Sequence, residues 1–502
     1  MKAEEEVGCS SASAGNGSAV RAPAGTPTGE VPSPGVRGHP ADMRELIIGG
    51  HTLVPTRDGT PRPYLNLDNA ASTPIARPVK DTVDRFLEWY SAVHRGSGFK
   101  SQVATDAYER ARQIVAEFVG ADLSKRTLIF VRNTTEAINR CANRFPFEPD
   151  DVLLTSLMEH HSNLLPWRKR GIHIEHLPVD KHGAPVLAEL RSHLKRHGGR
   201  VRLVAISGGS NVTGVIPDIH EIAHIVHEAG AMLLVDAAQL APHRPIHMGQ
   251  PGEPDSIDFL AMSAHKMYAP LGCGVLIGPR SVFEWGTPEL VGGGTVLFVS
   301  EEDEVFNEPP DREEAGSPNV VGAVAMAAAA RFLRDELGWD WLVEHERQLT
   351  SYALEQLNRI PGLTIYGPRD PSLPADRLGV ICFNLKDMDH RLVAAILSHE
   401  YAIGTRTGCF CAHPYLIRLF GLSSQQVQAL RTQISCGDKR GMPGAVRISF
   451  GFYNSMEDVE AVVQALWDIH AGSWRGDYYQ DHKTGEYHPR NSRANPEGWF
   501  VI

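Results

Sequence analysis

The stretch Ser256-Ile257-Asp258-Phe259-Leu260-Ala261-Met262-Ser263-Ala264-His265-Lys266 is an apolar, strand-forming run that leads into Ser263, His265 and Lys266. It sets a lysine where a strand ends, on the rim of a sheet. Upstream, Met232-Leu233-Leu234-Val235 closes on Asp236-Ala237-Ala238-Gln239 and places a carboxylate at the end of another strand. Open α/β sheets bind ligands beyond the carboxyl ends of their strands. The runs Leu128–Val131, Val152–Leu154, Val201–Ile206 and Gly274–Ile277 each sit beside polar, helix-forming stretches. Such alternation predicts an α/β domain with a mainly parallel sheet.

Outward from this centre, Val320–Leu337 is Ala-rich, then amphipathic, and reads as a helix leading out of the large domain. Val380–Phe383 and Ala445–Phe450 read as strands and Met456–Ile469 as a helix, giving a smaller α+β domain. Residues 1–43 are rich in Gly, Pro, Ser and Ala and read as a disordered arm, since they bury too little apolar surface to offset ordering entropy. The expected organisation is the arm at 1–43, a large domain at 44–335, a small domain at 336–472 and a tail at 473–502. The tail is aromatic and charged without clear period, and the acidic run Glu301–Glu314 reads as a solvated loop.

With 42% hydrophobic and 22% charged residues over 502 positions, the chain has the composition of a soluble globular protein. No apolar run approaches the roughly 18 residues of a membrane span. The acidic start Met1-Lys2-Ala3-Glu4-Glu5-Glu6 does not resemble a secretory signal, and seven scattered cysteines point to reduced thiols. Both lead to the expectation of a cytoplasmic protein. A net charge of -11 argues against general binding to nucleic acid or anionic membranes, and the short run Arg168-Lys169-Arg170 reads as a solvated face.

Thr127–Val131 followed by Arg132-Asn133-Thr134-Thr135-Glu136 is a strand entering a helix whose first turn carries hydroxyls. Free N–H groups there attract phosphate, although an ordinary helix cap has the same composition. Asp236 likewise fits either a helix N-cap or a ligand contact.

Eight segments occur in an order and spacing that resemble cysteine desulfurases and selenocysteine lyases of the class V aminotransferase family, over roughly residues 64 to 470. They are Leu67–Ala71, Val93–Gly96, Ala104–Arg112, Asn133–Asn139, Glu159–Asn163, Ser210–Gly214, Asp236–Gln239 and Ser263–Lys266. The resemblance implies a fold type I enzyme that carries pyridoxal 5'-phosphate as a Schiff base on Lys266. It also implies that His160 stacks on the pyridine ring, that Asp236 pairs with the ring nitrogen, and that Asn211 and Gln239 bond the phenolic oxygen. Thr134, Thr135, Ser263 and His265 are expected at the phosphate. Ser317, where the family usually has Thr, is expected to reach the phosphate of a neighbouring subunit in a homodimer.

In the second domain, Arg447 matches the arginine that clamps the substrate carboxylate, which a guanidinium can hold through two parallel hydrogen bonds. The resemblance also implies that Arg406 sits with the substrate and that Asn211 serves both cofactor and substrate. Thr405-Arg406-Thr407-Gly408-Cys409-Phe410-Cys411-Ala412-His413-Pro414 resembles the desulfurase loop, with Cys411 at the persulfide-forming position. Its Cys-Phe-Cys pattern is closer to molybdenum-cofactor sulfurases, as is Gly292-Gly293-Gly294-Thr295-Val296. Cys409, Cys411 and His413 lack the usual zinc spacing, and no metal ligand set is assigned. The expected reaction takes sulfur from L-cysteine and gives alanine and a Cys411 persulfide, passed on to an acceptor protein. Another class V activity (C–S lyase, epimerase or aminotransferase), a molybdenum-cofactor sulfurase-like activity and a non-catalytic binding protein are the alternatives.

Overall fold

In the computed structural model the described residues are 42–494 and 498–500, apart from 95, 181 and 373–376. The arm expected at 1–43 lies outside them except for its last two residues, where Asp42 caps the turn Met43–Leu46. The described residues lie in one compact unit.

Seven strands form the main sheet: β1 (Arg126–Val131), β2 (Val152–Ser156), β3 (His173–Leu177), β4 (Val201–Ser207), β5 (Met232–Asp236), β6 (Phe259–Ser263) and β7 (Gly274–Pro279). Their order is β1-β7-β6-β5-β4-β2-β3. The pairs β2/β3, β2/β4, β4/β5 and β5/β6 are parallel. Only β7 opposes its neighbours, running antiparallel to both β6 and β1. Successive side chains of a strand point to opposite faces, and here both faces are covered, so the central strands are apolar throughout. Leu154, Val204, Leu233, Val235, Leu260 and Met262 enter one core; Leu153, Leu203, Ala205, Leu234, Phe259 and Ala261 enter the other.

The first core is capped by the helices Phe99–Phe118 and Val320–Arg331, the second by Thr134–Arg144. The helix expected over Val320–Leu337 is α-helical only to Arg331, and Phe332–Leu337 continues it as a π-helical turn.

A second, antiparallel sheet contains β8 (Leu363–Tyr366), β9 (Val380–Leu385), β10 (Arg406–Gly408) and β11 (Ala445–Ser449), in the order β8-β9-β11-β10. Ile381, Phe383, Val446 and Ile448 pack against the helices Trp339–Leu357 and Met456–His470 through Leu349, Leu354, Val459 and Leu466. The fold is therefore α/β, a large mainly parallel-sheet part followed by a smaller α+β part. No helix among the described residues is long and apolar enough to cross a membrane.

Two expectations change. The tail forms a hairpin between Tyr478–Gln480 and Tyr487–Pro489. The acidic run is not wholly solvated: Glu304–Phe306 pairs with Val296–Val299, and the last two glutamates are buried against arginines. Glu313 meets Arg144 Nε at 2.9 Å. Glu314 takes both Arg112 terminal nitrogens at 2.9 and 3.1 Å, the Tyr108 hydroxyl at 2.6 Å and the Phe130 amide at 2.7 Å. A buried carboxylate is tolerable when every lone pair is used and the charge is matched.

Removing that carboxylate strands the buried Arg112 guanidinium. Glu314→Ala is expected to cost about 3–5 kcal/mol of stability, read as a lowered denaturant midpoint with unchanged slope; a loss below about 1 kcal/mol would show the network to be peripheral.

Candidate active site

The carboxyl ends of β4, β5 and β6 and the turn after β2 open onto a cleft of about 570 Å³, which β10, the loop after it and Arg447 of β11 close from the other side. Lys266 ends the tight turn Ala264–Lys266 that follows β6. Burial draws its ammonium down to about 8 against the opposing attraction of Asp236, and Arg447 lowers it further. Asp236 ends β5, with Asp236 paired across to Ala261 of β6. Its Oδ1 accepts from the Ala238 amide at 3.0 Å, and burial raises its carboxyl above the ordinary range. Among the described residues no helix lies between Asp236 and β6, so this contact closes a turn rather than capping a helix, and the same carboxylate lines the cleft.

His160 and Ser162 follow β2. The His160 Nδ1 lies 3.0 Å from the Ser162 hydroxyl, and burial, then the Lys266 charge, brings the imidazole down to about 3, so it is neutral. Glu159 beneath it accepts from Ser156, Ser207 and Asn163, and burial raises it to about 7. Asn211 donates to the Phe410 carbonyl at 2.7 Å. Gln239 donates to the Ala70 carbonyl at 2.6 Å, while its buried Oε1 has no partner.

At the amino end of the helix Thr134–Arg144, the Asn133 side chain caps the Glu136 amide at 3.0 Å. Thr135 lines the cleft and its hydroxyl meets Ser162 at 2.7 Å. Thr134 does not line it: its amide and hydroxyl are both spent 2.7 Å from the buried Ser263 hydroxyl. Ser263 and His265 do line the cleft, and burial, then Lys266, lowers His265 to about 4. Ser317 is exposed and outside the cleft of its own chain.

On the opposite wall, Arg447 is fully buried, donates to the Asn211 carbonyl and Asp68 Oδ1 at 3.0 Å each, and leaves its buried Nε without a partner. Arg406, largely exposed, lies 3.4 Å from Asp68 Oδ2. The two cysteines differ sharply. Cys409 donates to the Pro443 carbonyl at 2.9 Å, and burial pushes its thiol up to about 11, whereas Cys411 is exposed in the cleft. The Cys411 carbonyl accepts from the His161 amide at 2.7 Å, and the His161 ring stacks on His413 at 5.0 Å.

The structure therefore gathers every expected residue into one cleft except Thr134 and Ser317. Ser162 and Arg391 also line it, while Asp68 pairs with Arg447 and Arg406 and the His161 amide binds the Cys411 carbonyl; sequence reasoning gives these four no role. Asp68 had a signal, since it lies in the quoted segment Leu67–Ala71.

Comparison with known proteins agrees with this geometry. A family model described as aminotransferase class-V matches residues 65–462. A probable cysteine desulfurase of Halalkalibacterium halodurans is 34% identical over 418 residues, covering 82% of this chain and 93% of that one. A cysteine desulfurase of Dickeya dadantii is 35% identical over 421 residues, with 82% and 93% covered. Among solved structures, an apo cysteine desulfurase from Thermococcus onnurineus superposes with a TM-score of 0.71 at 33% identity, covering 82% of this chain and 95% of that one. The Escherichia coli cysteine desulfurase CsdA, in its S-sulfonic acid form, gives 0.68 at 31% identity, with 82% and 96% covered. With the match running over most of its length, this chain belongs to the class-V aminotransferase family.

Proposed function

We propose that this chain is a pyridoxal-phosphate-dependent cysteine desulfurase that converts L-cysteine to alanine and leaves the sulfur on Cys411. The observation that carries the reading is one cleft holding a buried, easily deprotonated lysine beside a carboxylate and, on the facing wall, an exposed cysteine. The residues fit the cofactor: among the described residues the buried Gln239 Oε1 has no partner, and the Asp236 carboxylate has one hydrogen bond, from the Ala238 amide. Asp236 would hold the ring nitrogen, His160 would lie on the ring as a neutral imidazole, and Thr135, Ser263 and His265 would take the phosphate. When bound, the cofactor supplies an electron sink for the pair left as a Cα–H bond breaks.

The chain's own groups do the rest. Arg447 receives the substrate carboxylate, its free Nε gaining a partner, with Arg406 at the rim. Lys266 Nζ, neutral in a substantial fraction, takes the Cα proton. The Cys411 thiolate attacks the substrate sulfur, the C–S bond breaks, and the products are a Cys411 persulfide and alanine, so the atoms of L-cysteine and one thiol are conserved. Exposure of Cys411 leaves the persulfide within reach of an acceptor protein. A homodimer accompanies this reading: the hairpin Val296–Val299/Glu304–Phe306 presents Leu297 and Phe298 at 71% and 60% exposure, close in sequence to the outward-facing Ser317.

Three outcomes test the proposal. With L-cysteine and saturating cofactor, Lys266→Ala is expected to lower alanine formation roughly a hundred- to ten-thousand-fold. Cys411→Ala should abolish both alanine and protein persulfide, while Cys409→Ala keeps activity within about threefold. Loss with Lys266→Ala but not with Cys411→Ala would assign the cleft to a different class V reaction.

Capture of pyridoxal phosphate by the ligand-free chain requires the neutral amine. Its rate, followed by absorbance, should rise about fivefold from pH 7 to 8 and level off above pH 9, as a group titrating near 8 dictates. A continued tenfold rise per unit would mean an ordinary lysine.

Phe298→Glu combined with Leu297→Glu should convert a dimer to a monomer in sedimentation velocity. A wild-type chain that sediments as a monomer sinks the dimer.

A further inference from the structure

On the far edge of the main sheet, β3 and the helix Leu187–His197 bring together a group that the cleft does not use. Glu175 stands in the middle of β3, the edge strand, and His193 and His197 lie one turn apart on the facing side of the helix. One ligand atom from each lies within 4.8 Å of the others. The His193 Nδ1 is 2.5 Å from Glu175 Oε2, and the His197 Nε2 is 2.9 Å from Glu175 Oε1. The second contact is not an aligned hydrogen bond, for His197 Nε2 is buried without a hydrogen-bond partner on a side chain only 9% exposed. A buried ring nitrogen that faces a carboxylate without an aligned hydrogen bond is an unsatisfied polar atom, and once its proton is lost its lone pair can take a cation.

We infer that Glu175, His193 and His197 form a site for a divalent transition cation of the zinc class. Two imidazoles and a carboxylate are a borderline-soft donor set suited to Zn²⁺. Ligand atoms at 2.0–2.2 Å from a tetrahedral zinc stand roughly 3.3–3.5 Å apart, so the present contacts need to open by less than about 1 Å. Three neighbours bear on the site, and one of them, Arg200, has its Nη2 3.4 Å from His197 Nδ1. His173, two residues before Glu175 on the same face of the strand, has its Nε2 3.7 Å from Glu175 Oε1 and is the nearest candidate for a fourth ligand. Arg196 Nη1 lies 3.8 Å from Glu175 Oε2, and its long, exposed side chain swings outward when the cation takes that charge. None of these residues lines the catalytic cleft, so the cation acts as a staple between the edge strand and its covering helix rather than in sulfur chemistry.

The histidines show the i, i+4 spacing of helical metal ligands, but Glu175 comes from a separate element, so the sequence alone does not reveal the set.

The test is zinc titration of the untagged, cofactor-loaded chain after chelator treatment. One zinc per chain is expected at micromolar affinity or tighter, with a first shell of nitrogen and oxygen at 2.0–2.2 Å in X-ray absorption. His197→Gln should weaken binding at least about a hundredfold and leave alanine formation from L-cysteine unchanged. Should that variant not fold, Glu175→Gln serves with the same expectation. A wild-type chain that binds no stoichiometric zinc, a sulfur shell near 2.3 Å, or undiminished binding by the variant would overturn the assignment.

Discussion

The constraint on which the site depends is the burial of one amine. An ammonium taken out of water is disfavoured unless charge and hydrogen bonds replace its hydration, and at Lys266 the replacement is incomplete. Asp236 offsets part of the cost, Arg447 adds to it, and the group is left with its proton loosely held. The lysine cannot turn outward to escape. Its turn is fixed by Ala264 donating to the Cys273 carbonyl and by the His265 carbonyl, which accepts from the Thr73 amide at 2.9 Å and its hydroxyl at 3.1 Å. Beneath the turn, β6 is flanked by β5 and β7 and packed on both faces, so the rim has no room to relax.

The stretch Asn66–Thr73 holds the two parts of the molecule in register. Asp68 pairs with Arg447 of β11, the Asn69 side chain donates to the Ser449 carbonyl at 3.0 Å, and the Ala70 amide donates to the Ser449 hydroxyl at 2.9 Å. From its other side, the Ala70 carbonyl accepts from Gln239, beside Asp236, and Thr73 braces the lysine turn. One short segment thereby sets the spacing between the Arg447 guanidinium on the second sheet and the strand ends of the first that carry Asp236 and lead into Lys266. Asp68 also offsets the charge of Arg447, and the guanidinium is held in one orientation by Asp68, the Asn211 carbonyl and the Phe410 ring.

Much of this is legible in the sequence because the signals are local. Buried parallel strands read as continuous apolar runs, and β2, β4, β5 and β7 fall where those runs lie, extended by one or two residues. The strand ends then nominate Asp236 and Lys266 without any knowledge of contacts. What escapes is charge matched across long separations. Glu314 belongs to an acidic stretch that resembles a solvated loop, and only the approach of Arg112, two hundred residues earlier in the chain, makes its burial affordable. Thr134 and Thr135 are indistinguishable by type, yet the helical turn points the first at Ser263 and the second into the cleft.

The difference between Cys409 and Cys411 shows how backbone conformation can decide chemistry between two identical groups. Phe410 and Cys411 both sit at positive φ, 50° and 54°, a region costly for residues with a Cβ. Contacts on either side hold them there: Asn211 binds the Phe410 carbonyl, His161 binds the Cys411 carbonyl, and Arg447 lies 5.0 Å from the Phe410 ring centre. With both carbonyls fastened and the aromatic ring buried as an anchor, the left-handed turn leaves the Cys411 side chain exposed in the cleft. Cys409, on the other side of the anchor, is drawn in against Pro443, where burial keeps its thiol protonated. A nucleophile must be reachable, and of the two only Cys411 is exposed.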